Sequence, residues 1–223
     1  MSLNALVLGA TGLCGSGFLK YAEQSTSFGK VFTITRRELP NPVSNKVDPI
    51  VEKNTLEWPK AVPEGIRVIF SGLATTRAVG GFENQYKIDH DLNIELAKAA
   101  KEKGCSTCVI VSSGGANDNS RIPYLKLKGD IERDIIALGF EKTIILRPGI
   151  LLGDRENNHK GFGNSLAVRI GNLFYRSRFQ GLIGHPVYGD EVAKVGVKLA
   201  LDDTKLEKVQ IIESAEILRL AED

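Results

Sequence analysis

The stretch that decides the fold lies near the start of the sequence, where residues 3–15 read LNALVLGATGLCG. Residues 3–8 are almost entirely apolar, as in a strand covered on both faces, and three glycines follow at intervals of three. Glycine at a strand-to-helix turn lets the backbone approach a ligand closely, and the helix N-terminus offers N–H groups to a pyrophosphate. The pattern predicts a dinucleotide-binding turn, with a purely structural tight turn as the alternative. The predicted coenzyme contacts here are Gly9, Thr11, Gly12, Leu13, Cys14 and Gly15.

The rest of the chain alternates between strand-like and helical stretches. Runs rich in Val and Ile predict further strands at 30–35, 47–51, 67–71, 107–112, 143–147 and 209–212. Helical patterns cover 13–25, 83–103, 123–139 and 189–201. Such alternation favours parallel pairing with right-handed crossovers. We therefore expect one α/β domain over residues 1–223, a Rossmann-like doubly wound parallel sheet in the order 3-2-1-4-5-6 with a short seventh strand.

Composition excludes several classes of protein. The 223 residues carry 29 basic and 27 acidic side chains, which argues against a dedicated nucleic-acid binder. Three cysteines are too few for a disulfide scaffold, and the Cys105–Cys108 pair has no second pair to complete a zinc site. We expect that pair to flank and enter a buried strand, with a redox pair as the alternative. The histidines, His90, His159 and His185, have no ligand-like spacing, so no metal is predicted.

The end of the second predicted strand indicates which dinucleotide binds. An NAD enzyme normally places Asp or Glu there, about twenty residues after the glycine turn, to hold the ribose 2′-hydroxyl. This chain instead reads Thr35-Arg36-Arg37. Two guanidinium groups suit a 2′-phosphate, which a carboxylate would repel. Arg36 and Arg37 therefore favour NADPH as coenzyme, with an ordinary exposed basic pair as the alternative.

A candidate catalytic set follows the fifth predicted strand. That strand ends at Ser112-Ser113, and the next helix begins with Tyr124 and Lys128 four residues apart, on one helix face. An ammonium beside a phenol stabilises the phenolate, so Tyr124 is suited to give a proton to a carbonyl oxygen. A serine hydroxyl at the strand tip suits the same oxygen. We expect Ser113 rather than Ser112 in this role, and the alternative reading makes Tyr124 a core aromatic and Lys128 a solvated charge.

Several motifs together resemble one known family. The glycine turn, Ala74-Thr-Thr-Arg77, Tyr124…Lys128-Gly129 and Arg147-Pro148-Gly149 are similar to atypical short-chain dehydrogenase/reductases of the Tat-interacting-protein type, in particular their fungal branch. The resemblance covers nearly the whole chain. It implies a Rossmann fold, NADPH and a Ser-Tyr-Lys catalytic set in which Lys128 also holds the nicotinamide ribose. It further implies that Leu73, Ala74 and Thr75 line the coenzyme site and that Pro148 lies near the nicotinamide.

The resemblance also carries expectations about location and partners. The fungal relatives are peripheral proteins of the mitochondrial outer membrane, so we expect this chain on the cytoplasmic face of that membrane or in the cytosol. The glycine turn begins too early to leave room for a cleavable presequence. Many relatives dimerise through helices that correspond to 83–103 and 123–139, so a homodimer is one expected assembly.

The region 151–188 is expected to form a substrate-side or surface-binding insertion. Residues 157–189 contain no Asp or Glu but interleave four basic residues with aromatic ones. A substrate lid, an amphipathic patch on an anionic membrane and a core-packed helix with solvated arginines all fit this pattern. Leu166, Ile170, Leu173 and Phe174 would share one helical face.

These observations favour an NADPH-dependent reductase of a small carbonyl compound. The main alternative is a coenzyme-binding regulatory or scaffold protein with little or no turnover. Tyr124 separates the two readings, because sensors of this fold often lack that tyrosine and this chain has it. A sugar-nucleotide epimerase is disfavoured, because only about 70 residues follow Gly149 and such enzymes usually carry a larger C-terminal substrate domain.

Overall fold

The computed structural model describes residues 2–153, 171–204 and 207–222. A seven-stranded parallel sheet forms its centre, in the order β3-β2-β1-β4-β5-β6-β9. Two further short strands, β7 and β8, pair only with each other. The strands are β1 (Leu3–Leu8), β2 (Phe28–Thr35), β3 (Val47–Val51), β4 (Val68–Ser71), β5 (Thr107–Val111), β6 (Lys142–Arg147), β7 (Leu151–Leu152), β8 (Val187–Tyr188) and β9 (Val209–Glu213).

Helices cover both faces of the sheet. We number the described helices α1 (Leu13–Gln24), α2 (Trp58–Ala61), α3 (Gly81–Tyr86), α4 (Leu92–Glu102), α5 (Pro123–Leu138), α6 (Gly189–Leu201) and α7 (Ser214–Glu222). One face is covered by α1, α6 and α7, and the other by α2, α4 and α5. A turn of π-helix, Lys87–Asp91, joins α3 to α4. No helix in the described ranges combines the length and the apolar character needed to cross a bilayer.

Each face of the sheet has its own apolar core, because side chains of successive strand residues point to opposite faces. The first core, under α1 and α6, includes Phe18 stacked on Phe70 with ring centroids 5.2 Å apart. The second core, under α4 and α5, includes Leu96, Leu127 and Phe140, all nearly or fully buried. The near-continuous apolar character of the strands in the sequence reflects this burial on two sides.

The predicted fold is confirmed in its strand order and parallel pairing, with β9 as the seventh strand. The predicted strands and helices differ from the observed ones by no more than two residues at either end. The sequence did not predict α7, the β7–β8 pair or α2. The last of these forms because Trp58 is buried and its indole N–H donates to the carbonyl oxygen of Glu52 at 2.9 Å. The region 38–65, expected to be loop around one strand, therefore also holds a helical turn.

Candidate functional site

The glycine turn brings α1 against the carboxyl ends of β1 and β4. Gly9 has a φ of +72°, and a Cβ there would lie 2.7 Å from the carbonyl oxygen of Gly72. A Cβ on Gly15 would lie 1.9 Å from the carbonyl oxygen of Gly9, so only glycine fits at this crossing. Among the described residues no side chain caps the N-terminus of α1 at Gly12. The positive end of the α1 dipole at this N-terminus suits an anion.

A cleft of about 870 Å³ opens over the carboxyl ends of the central strands. This edge of an open α/β sheet is where ligands bind in such folds. The cleft brings together most of the sequence-predicted site residues. Those in its lining are Thr11, Gly12, Leu13, Cys14, Arg36, Arg37, Ala74, Thr75, Ser112, Tyr124 and Lys128.

The remaining predicted residues lie beside the cleft or beneath it. Gly9 and Gly15 form the floor of the glycine turn. Leu73 packs against the second core, and its carbonyl oxygen accepts a hydrogen bond from Asn93. The carbonyl oxygen of Pro148 accepts from the N–H of Gly114 at 2.8 Å, which joins the loop after β6 to the loop after β5.

Arg36 and Arg37 lie at the end of the cleft formed by the loop after β2. Both are exposed, and no described carboxylate pairs with either guanidinium. The hydroxyl of Thr35 donates to the carbonyl oxygen of Arg37 at 2.8 Å, which fixes the backbone of the pair. Two exposed guanidinium groups at this position would suit the phosphate of a 2′-phosphorylated ribose.

Tyr124 and Lys128 lie on the cleft side of α5. Pro123 begins the helix, a favourable position because proline lacks the N–H that a first helical residue would leave unpaired. The Lys128 Nζ lies 5.9 Å from the centre of the Tyr124 ring. Tyr124 is 42% exposed and Lys128 is buried, so the reading of Tyr124 as a core aromatic and Lys128 as a solvated charge is wrong.

The two serines after β5 have different surroundings. Ser112 is buried, and its hydroxyl donates to the Glu132 carboxylate. Glu132 also accepts hydrogen bonds from the Arg147 guanidinium, whose Nε lies 2.9 Å from Oε1. Ser113 is half-buried, and its hydroxyl makes only a long contact of 3.4 Å with the carbonyl oxygen of Gly114. Within the described structure the Ser113 hydroxyl is therefore held less firmly than the Ser112 hydroxyl, although it is Ser112 that lies in the cleft lining.

Two features of the cleft wall were missed by the sequence reasoning. Asp89 lies in the π-turn, lines the cleft and is 1% exposed. Thr76 also lines the cleft, and its hydroxyl oxygen is buried without a hydrogen-bond partner among the described residues. A buried hydroxyl without a partner at a ligand cleft fits a hydrogen bond to a bound molecule. The signal for Asp89 was present in the sequence, because Gln85, Asp89 and Asn93 recur every four residues within an otherwise apolar helix face.

The Cys105–Cys108 motif lies away from the cleft. Cys108 is buried within β5, and Cys105 is buried just before it. Burial raises the pKa of Cys105 to about 12 and raises the pKa of Cys108 as well. Thiols held in the protonated form are poor nucleophiles, so the expectation of a structural pair at a buried strand agrees with this environment.

The region predicted as an insertion, 151–188, is described only at 151–153 and 171–188. Leu173, Phe179 and Leu182 are exposed apolar side chains within it. Tyr175 donates to the Glu191 carboxylate at 2.8 Å, which ties this region to α6. Leu166 and Ile170 of the predicted helical face lie outside the described residues, as do His159, Lys160 and Arg169.

Solved structures with a similar fold include proteins that were solved with NAD. MoeE5, solved with UDP-glucuronic acid and NAD, aligns with a TM-score of 0.69 at 17% identity, over 94% of this chain and 75% of that one. UDP-glucuronic acid 4-epimerase from Bacillus cereus, solved with NAD, aligns with a TM-score of 0.68 at 17% identity, over 94% of this chain and 77% of that one. A short chain dehydrogenase family protein from Francisella tularensis aligns with a TM-score of 0.66 at 13% identity, over 98% of this chain and 100% of that one. The chain therefore shares its fold with these proteins.

Relatives in sequence define the family more narrowly. No family model matches the chain. It is 63% identical to "Protein FMP52, mitochondrial" of Eremothecium gossypii over 98% of this chain and 97% of the relative. The proteins of the same name in Kluyveromyces lactis and Saccharomyces cerevisiae are 61% and 56% identical, over 99% and 98% of this chain and 100% and 96% of theirs. The chain belongs to the FMP52 family.

Proposed function

We propose that this protein is an NADPH-dependent reductase of a small carbonyl compound, with Tyr124 as the proton donor. The observation that carries the proposal is the meeting of three features in one cleft: the glycine turn, the arginine pair after β2, and Tyr124 with Lys128 on α5. The resemblance to reductases of the Tat-interacting-protein type points the same way. The dinucleotides present in the structural relatives also support a nicotinamide coenzyme.

The described residues fit such a coenzyme. The first turn of α1 suits the pyrophosphate, because its N–H groups and the positive end of the helix dipole favour an anion. Arg36 and Arg37 suit the 2′-phosphate, and the loop Ala74–Thr76 forms the adjoining wall. Bound NADPH would supply the hydride that passes to the carbonyl carbon.

The protein's own residues would then complete the reduction. The phenol of Tyr124 gives its proton to the carbonyl oxygen as the negative charge develops there, so the product is an alcohol. The Lys128 ammonium stabilises the phenolate that remains and suits the nicotinamide ribose. The Ser113 hydroxyl orients the carbonyl oxygen by hydrogen bonding. Solvent at the exposed Tyr124 restores the proton.

The direct test is a panel of aldehydes and ketones incubated with the protein and NADPH, with oxidation of NADPH followed by absorbance. We expect turnover that falls by about 100-fold or more in Tyr124→Phe, the usual contribution of a positioned general acid. Tyr21→Phe is the matched control, because this tyrosine lies on α1 and hydrogen-bonds Asp190. Turnover that survives Tyr124→Phe would refute the mechanism. NADPH binding without turnover of any compound would instead support the regulatory alternative.

We also propose that the protein acts at the mitochondrion, because its relatives carry that location in their names. The finer expectation, the cytoplasmic face of the outer membrane, is tested by protease treatment of intact mitochondria. A tagged protein on that face is degraded while the outer membrane is whole. Protection from protease until the outer membrane is ruptured would contradict the expectation.

A further inference from the structure

The link between α3 and α4 is built around one buried carboxylate. Asp89 lies in the π-turn Lys87–Asp91, where the N–H of Leu92 bonds to the carbonyl oxygen of Lys87, five residues back. Such turns widen a helix locally and are frequent at functional sites. The side-chain amide of Asn93 donates hydrogen bonds to the carbonyl oxygens of Asp89, at 2.9 Å, and of Leu73, at 3.1 Å. The π-turn is thereby attached to the loop that follows β4.

The Asp89 side chain contacts Gln85 and two partners that belong to the proposed site. Its Oδ1 accepts from the backbone N–H of Thr75 at 2.6 Å, and its Oδ2 lies 3.4 Å from the Nζ of Lys128. The side chains of Asp89 and Lys128 are 1% and 6% exposed, so water screens the pair very little. Burial raises the pKa of Asp89, while Lys128 and the Thr75 N–H act in the opposite direction and favour the carboxylate.

Among the described residues, Asp89 is the carboxylate that pairs with Lys128. From α3, the uncharged Gln85 faces Asp89, and from α5 the phenol of Tyr124 lies beside Lys128. The carboxylate of Glu132, one turn further along α5, is paired with Arg147. His90, Asp91 and Asp134 do not line the cleft. The His90 ring bridges the carboxylates of Asp91 and Asp134 at 2.8 and 2.9 Å.

We propose that Asp89 is a positioning residue of this site: its carboxylate keeps the Lys128 ammonium charged and beside Tyr124, and it fixes the coenzyme-side loop through Thr75. The proposal rests on the proposed function, because a charged Lys128 matters there by stabilising the Tyr124 phenolate and by binding the coenzyme. A buried ammonium without a counter-charge favours its neutral form, which neither stabilises a phenolate nor donates three hydrogen bonds. The π-turn places the carboxylate where one short side chain reaches both partners.

The first experiment measures the pairing itself, without coenzyme. Unfolding by denaturant is compared for the parent, Asp89→Asn, Lys128→Met and the double variant. Removing one partner of a buried ion pair leaves an uncompensated charge, whereas removing both does not. We therefore expect each single variant to unfold at a lower denaturant concentration than the double variant. Additive effects of the two substitutions would overturn the proposal.

The second experiment measures NADPH binding by fluorescence at several pH values. We expect Asp89→Asn to weaken binding by about tenfold or more at about pH 9 relative to about pH 7, because a buried ammonium group without a counter-charge favours its neutral form. We expect the affinity of the parent to change little between these pH values. A merely structural defect would not acquire this dependence on pH. Asp91→Asn is the matched control, since it removes an exposed carboxylate from the same turn, and we expect it to bind NADPH as the parent does.

The outcomes separate this proposal from the proposed function. A parent that binds NADPH together with an Asp89→Asn variant of the same affinity and pH profile refutes the role of Asp89 and leaves the reductase proposal intact. A parent that fails to bind NADPH refutes both. Asp89→Glu adds a further check, because the longer carboxylate restores the charge and should recover the flat pH profile at least in part.

Discussion

The proposed preference for NADPH over NADH depends most directly on two side chains, Arg36 and Arg37. Arg36 and Arg37 are exposed at the cleft, so replacing both with alanine removes two cations without opening a cavity in either core. A hydrogen bond to a charged group contributes about 1.5 kcal/mol at the low end, the appropriate end for exposed groups. Two such contacts to a 2′-phosphate give about 3 kcal/mol, or an increase of about 150-fold in the Kd for NADPH.

The assay is equilibrium binding of NADPH and NADH to the parent and to Arg36→Ala/Arg37→Ala. NADH lacks the 2′-phosphate, so its Kd should stay within about threefold of the parent value. The preference of the protein for NADPH over NADH should therefore fall sharply in the variant. Arg121→Ala is the matched control, because this arginine is also exposed but lies in the loop before α5. An unchanged ratio of affinities would show that the arginine pair does not hold the 2′-phosphate.

Three further predictions concern stability and reactivity. Glu132→Gln should lower the free energy of unfolding by about 3 kcal/mol, because it leaves the Arg147 guanidinium without its buried partner; a denaturation midpoint equal to that of the parent would contradict this. Although burial alone raises the pKa of Asp190, the hydrogen bond from Lys20 helps to hold it below its ordinary value. That stabilisation is present above about pH 4 and is lost on acidification, so Asp190→Asn should cost about 0.5 kcal/mol near neutral pH and nothing at about pH 2; thermal denaturation at both pH values checks the sign. Since the pKa of Cys105 is raised to about 12, its thiol should react with iodoacetamide at neutral pH only after unfolding, and rapid labelling of the native protein at this position would show that the thiol is accessible.

The local sequence pattern was sufficient to predict the order and the parallel pairing of the strands in the main sheet. The glycine turn fixes where β1 ends and α1 begins, and continuous apolar runs mark strands that are buried on both sides. Parallel order then follows from the strand–helix alternation. The final helix, α7, was missed because its nine residues follow β9 directly, with Ser214 at its start and no glycine or proline between the elements.

The arrangement of the site depended on contacts that sequence spacing does not reveal. Ser112 and Glu132 are twenty residues apart, and only the packing of α5 on β5 brings the hydroxyl to the carboxylate. Asp89 and Lys128 are 39 residues apart, and their side chains meet where the π-turn packs against α5. A periodic helix pattern assumes regular geometry, so it cannot anticipate the local widening at this turn.

The central claim is that the Tyr124 phenol acts on a carbonyl group beside the nicotinamide ring. A crystal structure of the protein with NADPH tests it most directly. The account predicts the Tyr124 hydroxyl within about 6 Å of the nicotinamide C4, the span of one hydrogen bond and one near-attack contact. It also predicts Lys128 Nζ against the adjoining ribose. A nicotinamide ring bound elsewhere in the cleft, with the phenol turned toward bulk solvent, would contradict it.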